Sequence, residues 1–146
     1  MAALIVLFAS WLVSRGIGAL GVAALASLHG SARFGLAAMF VFTGFAHFTK
    51  TKYEMARMVP SVFPHPMGMV YFTGICEWVG AIGLLVVKTR EAAAIALIVM
   101  LVALFPANIR AVREGLTVGG RPATQLWLRA PMQVFFVGLL WWSGVK

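Results

Sequence analysis

Acidic side chains are nearly missing from this chain: there are four in 146 residues, against twelve Lys and Arg, for a formal net charge of +8. Charge of either sign is scarce, at 11% of residues beside 62% hydrophobic ones. A soluble globular domain carries about 25% charged residues, so that class is excluded. The single cysteine, Cys76, rules out an internal disulfide and a CxxC redox pair. Alternating segments of about 10 residues, the mark of membrane β-strands, are absent as well. So are haem, flavin and iron–sulfur motifs, so no intrinsic cofactor is expected and any electrons must come from a partner or from a substrate. His29, His47 and His65 do not stand at ligand spacing, and no metal site is expected. The basic residues lie between apolar runs with no aromatic-interleaved patch, which argues against nucleic acid and for membrane lipid as the partner.

What is present is a set of long apolar runs, at about residues 2–28, 33–49, 67–87, 92–113 and 126–143. Runs of about 17 to 25 residues span a hydrocarbon core. The fold class read from them is all-α, a polytopic membrane helical bundle in a single domain, 1–146. The first run competes with a signal peptide, because Ala24, Leu25 and Ala26 look like a cleavage motif. No basic residue precedes it and Arg15 splits it, which favours a retained helix ending at a break at His29, Gly30 and Ser31. Between the second and third runs, Thr51 to Met58 suits two turns of surface helix. Pro60, Pro64 and Pro66 then forbid regular structure. The four-residue link Lys88 to Glu91 makes runs three and four antiparallel neighbours. Pro106 should free a backbone carbonyl, which Asn108 either satisfies or leaves to face a cavity. In the second long connection, 114–124, Gly119 and Gly120 signal a turn.

Glu77 is the residue that needs explaining. Glu54, Glu91 and Glu114 fall in or beside polar connections, whereas Glu77 sits inside the third apolar run. An ionisable group at bilayer depth is costly unless neutralised, paired or facing water, and so marks a functional site by default. Thr73 shares its helix face, as Thr43 does with His47 one run earlier. Gln125, Arg129 and Gln133 form a stripe at i, i+4 and i+8 on the last run, where insertion requires no polar face. At 1.5 Å rise per residue, Glu77 lies about 15 Å from Met67 and Gln133 about 12 Å from Gln125, both counted from the long-loop side. Polar groups of four helices thus converge on one half of the membrane, in a cavity with Glu77 at its floor and Arg129 as its expected counter-charge, Arg15 being the rival. Basic residues number seven on the long-loop side (Lys50, Lys52, Arg57, Arg110, Arg113, Arg121, Arg129) and four on the other (Arg33, Lys88, Arg90, Lys146). That bias directs the long loops to the cytoplasm.

The segments RFGLAAMFVFTGFAHF, MVPSVFP, YFTGICEWVGAIGLL, LFPANIRAV and LWLRAPMQVFFVGLLWW, in matching order over about residues 33–142, resemble the DoxX family of small bacterial membrane proteins. The resemblance implies a four-helix core, to which the run at 2–28 adds one N-terminal transmembrane helix, in the bacterial cytoplasmic (inner) membrane. It also implies a component of a membrane redox system, quinone- or thiol/sulfur-linked, with a partner subunit or a second copy of the chain. The matching positions are His47, Glu77, Asn108, Arg129 and Gln133. Glu77 and His47 are the expected proton-exchange groups, since reducing a quinone needs proton donors near its carbonyl oxygens. Thr43, Thr73, Asn108, Arg129 and Gln133 are the expected ligand-binding groups. The alternative is a non-enzymatic protein that binds a lipid or small ligand or assembles a complex.

Overall fold

The computed structural model describes residues 2–146. Helices dominate: α1 (Ala2–Ala19), α2 (Ala23–Ala26), α3 (Leu28–Ala46), α4 (Thr51–Met58), α5 (Pro66–Leu85), α6 (Arg90–Arg113) and α7 (Leu126–Leu140). A π-helical segment, Trp141–Val145, follows directly on α7. The only strands among the described residues are β1 (Thr117–Val118) and β2 (Arg121–Pro122), an antiparallel pair. Three helices, α1, α5 and α6, are long and apolar enough to cross a membrane.

The first apolar run is not one helix. It ends at Ala19, and Gly21 takes φ +107°, a left-handed conformation that side chains with a Cβ rarely adopt. The expected break at His29, Gly30 and Ser31 is instead the opening of α3, because Ser27 caps that helix by accepting the Gly30 N–H at 2.9 Å. The reversal lays α1 antiparallel on α3. Trp11 Nε1 donates to Ser31 Oγ at 3.1 Å, and a Cβ on Gly35 would stand 3.0 Å from the Leu7 carbonyl oxygen. Arg15, on the same helix, donates to the Ala26 carbonyl at 2.7 Å.

The remaining long helices also alternate in direction, and glycines mark where they touch. On α5, a Cβ on Gly80 would be 2.6 Å from Leu97 of α6, and one on Gly83 would be 2.7 Å from Ala93. Small residues at these crossings let helix backbones approach within reach of extensive van der Waals packing. Leu7, Leu36, Phe40, Leu84, Leu97 and Leu140, from five helices, close the core between them. Much of the outer surface is apolar too: Leu12 is 75% exposed, Val79 64% and Val99 62%. One end of the bundle carries 20–27, 86–89 and the π segment, and the other carries α4, the Pro-rich stretch and the β-hairpin.

Candidate functional site

The site begins where α3 and α5 cross. A Cβ on Gly74 would stand 2.6 Å from the Cβ of His47, and one on Gly44 would run into the Trp78 indole. Without side chains at these positions, His47, at the C-terminal cap of α3, drops against the face of α5. Its Nδ1 lies 2.7 Å from the Val70 carbonyl oxygen and 3.1 Å from Thr73 Oγ1. Its Nε2 lies 3.5 Å from Glu77 Oε1, and the Thr43 hydroxyl donates to Glu77 Oε2 at 2.6 Å. His47, Thr73 and Glu77 are each less than a tenth exposed. Two i, i+4 pairs, Thr43 with His47 and Thr73 with Glu77, therefore close into one network.

The chemistry of the partners fixes where the protons go. A backbone carbonyl can only accept, so His47 Nδ1 carries a hydrogen, and Nε2 is left to face the carboxyl. The pair can hold one proton between Nε2 and Oε1, as imidazolium with carboxylate or as neutral imidazole with carboxylic acid. Either way the pair has no net charge, which suits a buried place. The 3.5 Å separation is longer than a direct hydrogen bond, and groups that exchange protons commonly shorten such gaps when a ligand binds. Within the pair a proton can shift between Glu77 and His47 without burying a net charge, whereas releasing it leaves one negative charge until a proton from the mouth restores the pair.

Across a cleft of about 2000 Å³ stands a second cluster. Asn108 of α6 accepts from Arg129 Nη1 of α7, and Gln133 Nε2 donates to the Leu101 carbonyl at 2.8 Å. Pro106 has no N–H to offer the turn before it, and Gln133 anchors the backbone of that stretch while Asn108 faces the cleft. Thr43, His47, Thr73, Glu77, Asn108, Arg129 and Gln133 all line this one cleft, with Cys76 beside them. They do so as two groups. Among the described residues, the ion-pair partner of Glu77 is His47, not Arg129 and not Arg15. The expected Glu77–Arg129 pairing fails because the cleft lies between α5 and α7, so each charge takes its partner from the adjacent helix. No cluster of three His, Cys, Asp or Glu side chains suited to a metal occurs among the described residues.

The mouth of the cleft is built by α4, the stretch 59–63 and the β-hairpin. Gly119 and Gly120, both left-handed (φ +64° and +72°), make the tight hairpin turn and turn their N–H groups outward. Glu54 of α4 accepts both of these N–H groups, Gly120 at 3.2 Å, together with the Thr117 hydroxyl at 3.0 Å. Partial shielding from water raises the pKa of this carboxyl, but the three donors outweigh it and hold it below the usual carboxylate range. Arg110 adds a second tie, to the Val59 carbonyl. Glu54 escapes sequence reasoning because an acid in a polar connection reads as solvated. The adjacent glycine pair at 119–120 is the only hint of an amide cradle.

Residues 36–144, 109 of the 146, match the protein family described as Domain of unknown function (DUF8561). No curated protein and no solved structure matches the chain.

Proposed function

The chain belongs to the DUF8561 family, whose description assigns no activity, and from that premise we propose a membrane protein whose cleft holds an apolar small molecule and exchanges a proton with it. The membrane reading takes five spans: α1, α3, α5, α6, and α7 with its π extension. Helices α3, α5, α6 and α7 form the four-helix core and α1 is the added N-terminal helix. The outward-facing Leu12, Val79, Val99 and Val102 support it, since on a soluble surface such a coat would drive association. The basic residues of the long loops favour a cytoplasmic mouth in a bacterial inner membrane.

One observation carries the functional part: a buried acid–imidazole pair, His47 Nε2 3.5 Å from Glu77 Oε1, at the wall of a large cleft lined mainly by apolar side chains. Packing alone gives little reason to keep such a pair, because apolar residues of similar volume replace buried ion pairs at little stability cost. The resemblance to DoxX proteins directs the reading to quinone- or sulfur-linked redox chemistry. Quinone reduction takes two electrons and two protons. A partner subunit or a reduced sulfur compound supplies the electrons; the Glu77–His47 pair passes one proton to the nearer carbonyl oxygen and is refilled from water at the mouth through His47, and the second proton reaches the other carbonyl oxygen from water in the cleft.

A non-enzymatic lipid- or ligand-binding protein is the second reading, and Arg129 favours it. This cation lines the cleft with a neutral amide as its hydrogen-bond partner and no carboxylate at ion-pair distance among the described residues, as the holder of a polar head group would. Purification in mild detergent followed by identification of what co-purifies separates the two readings. A quinone or a redox partner retained by the parent and lost from Glu77→Gln is the expected result. Phospholipid alone, retained equally by both, would turn the assignment to binding.

A further inference from the structure

The end of the bundle remote from the mouth holds a second polar cluster that the cleft does not use. His29 and Arg33 stand one turn apart on α3, Arg90 opens α6, and the π segment packs against both helices through Ser143 and Gly144. Arg33 Nη1 donates to the Ser143 carbonyl at 2.8 Å, and the His29 ring stacks on Trp142 with centroids 4.2 Å apart. Gly144 lies so close to α6 that a Cβ there would be 2.5 Å from the Cβ of Ala94, one turn beyond Arg90. The π segment thus packs against both Arg33 of α3 and the first turns of α6, which Arg90 opens, so the two guanidinium groups belong to the same end of the bundle.

Nothing in the cluster balances these charges. Among the described residues, the ion pairs are His47–Glu77 and Arg110–Glu114, and neither involves Arg33 or Arg90. Glu91 follows Arg90 but is exposed on a helix direction about 100° away. Two buried polar atoms also lack partners here, Arg90 Nε and the hydroxyl of Ser143, a residue only 1% exposed. Two like charges held together beside orphaned polar atoms make an arrangement that an anion completes. Guanidinium groups match tetrahedral oxyanions through paired N–H donors, and a phosphate has oxygens enough to serve two of them. The neighbouring Trp141 and Trp142 are of the residue type that settles at the head-group level of a bilayer.

We propose that Arg33 and Arg90, with Ser143, form a binding site for a phosphate group at the membrane–water interface, on the opposite end of the bundle from the mouth of the cleft. A phospholipid head group and free phosphate present the same chemistry, and the test separates them. The protein in mild detergent is titrated with phosphatidylglycerol, with diacylglycerol of the same chains, and with inorganic phosphate, and melting temperature is followed. Phosphatidylglycerol should raise it, diacylglycerol should not, and Arg90→Gln should need roughly tenfold more lipid for the same effect. Among the described residues Arg90 makes no side-chain hydrogen bond, so Arg90→Gln removes none from the fold; Arg33→Gln also loses the tie to Ser143 and serves as the harsher companion. Stabilisation by inorganic phosphate at millimolar levels would make free phosphate the natural occupant, and its failure to act would make it the lipid; both uphold the site. Equal responses of parent and Arg90→Gln, or diacylglycerol acting as well as phosphatidylglycerol, would overturn it. Glu77→Gln should respond as the parent does, so this test stands or falls apart from the cleft.

Discussion

The two walls of the cleft solve the problem of polar groups among apolar helices in opposite ways. On the α3/α5 wall, Thr43, His47, Thr73 and Glu77 satisfy one another and the Val70 carbonyl, with glycine crossings that hold the helices too close for rearrangement. On the α6/α7 wall, Arg129 has an amide where a carboxylate would be expected, and its Nε is buried without a partner. A closed network with a movable proton is suited to chemistry, and an incompletely satisfied cation to holding a ligand. The difference teaches that Glu77 and Arg129 were not placed to neutralise each other.

Changes that break the closed wall should cost most. Gly74→Val forces a side chain into the His47 Cβ and should destabilise by about 1 to 3 kcal/mol, read as a lower melting temperature in detergent. On the open wall, Gly138 of α7 has nothing within 4 Å of a built Cβ, and Gly138→Ala should be neutral within about 0.5 kcal/mol or stabilising. Equal losses from both would erase the contrast.

Comparable in size is the hydrogen bond from Thr43. Thr43→Val keeps the shape but removes the donor to Glu77, at a cost of about 1.5 to 3 kcal/mol if the carboxyl is ionised and less if it is protonated. Arg129→Met, by contrast, should cost under about 1.5 kcal/mol in the empty protein, because only a hydrogen bond to a neutral amide is lost, while ligand retention falls. A loss as large as that expected from breaking a buried ion pair, about 3 to 5 kcal/mol, would mean that Arg129 does balance Glu77.

The smallest expected effect lies at the mouth. The folded-state pKa of Glu54 is below its unfolded value, so its contribution is complete above about pH 4.5 and is lost as the pH falls through the folded value. Protease cleavage within 114–124 should therefore rise in acid for the parent and be raised at all pH values, without that step, for Glu54→Gln. The cradle of Gly119 and Gly120 amides makes this carboxyl a latch between α4 and the hairpin.

Helical periodicity made much of the site legible in the sequence. Thr43 with His47 and Thr73 with Glu77 fall one turn apart, and a lone acid in an apolar run demands company, so both pairs could be named before any coordinates. Which helix supplies that company could not, because it depends on which helices touch. Glu77 meets α3 through the Gly44 and Gly74 crossing, and long-range attraction to Arg129 cannot compete with that contact. The reversal after α1 was misread for a similar reason. His29, Gly30 and Ser31 look like a polar interruption, yet with Ser27 before them they form a capped helix start, and the interruption falls at Gly21 through a backbone conformation that composition does not reveal. Glu54 was missed because its partners, a hydroxyl and two backbone amides, are 63 to 66 residues away.

The central claim is that the Glu77–His47 pair exists to handle a proton. Glu77→Gln keeps size and hydrogen bonding and removes only ionisation, so the most direct measurement pairs its melting temperature in detergent with the amount of quinone or other apolar ligand retained. The account predicts a melting temperature within about 3 °C of the parent, under about 1 kcal/mol, with ligand retention or linked activity down at least about tenfold. A Glu77→Gln protein that melts far below the parent yet retains its ligand in full would contradict it and leave Glu77 as a structural residue.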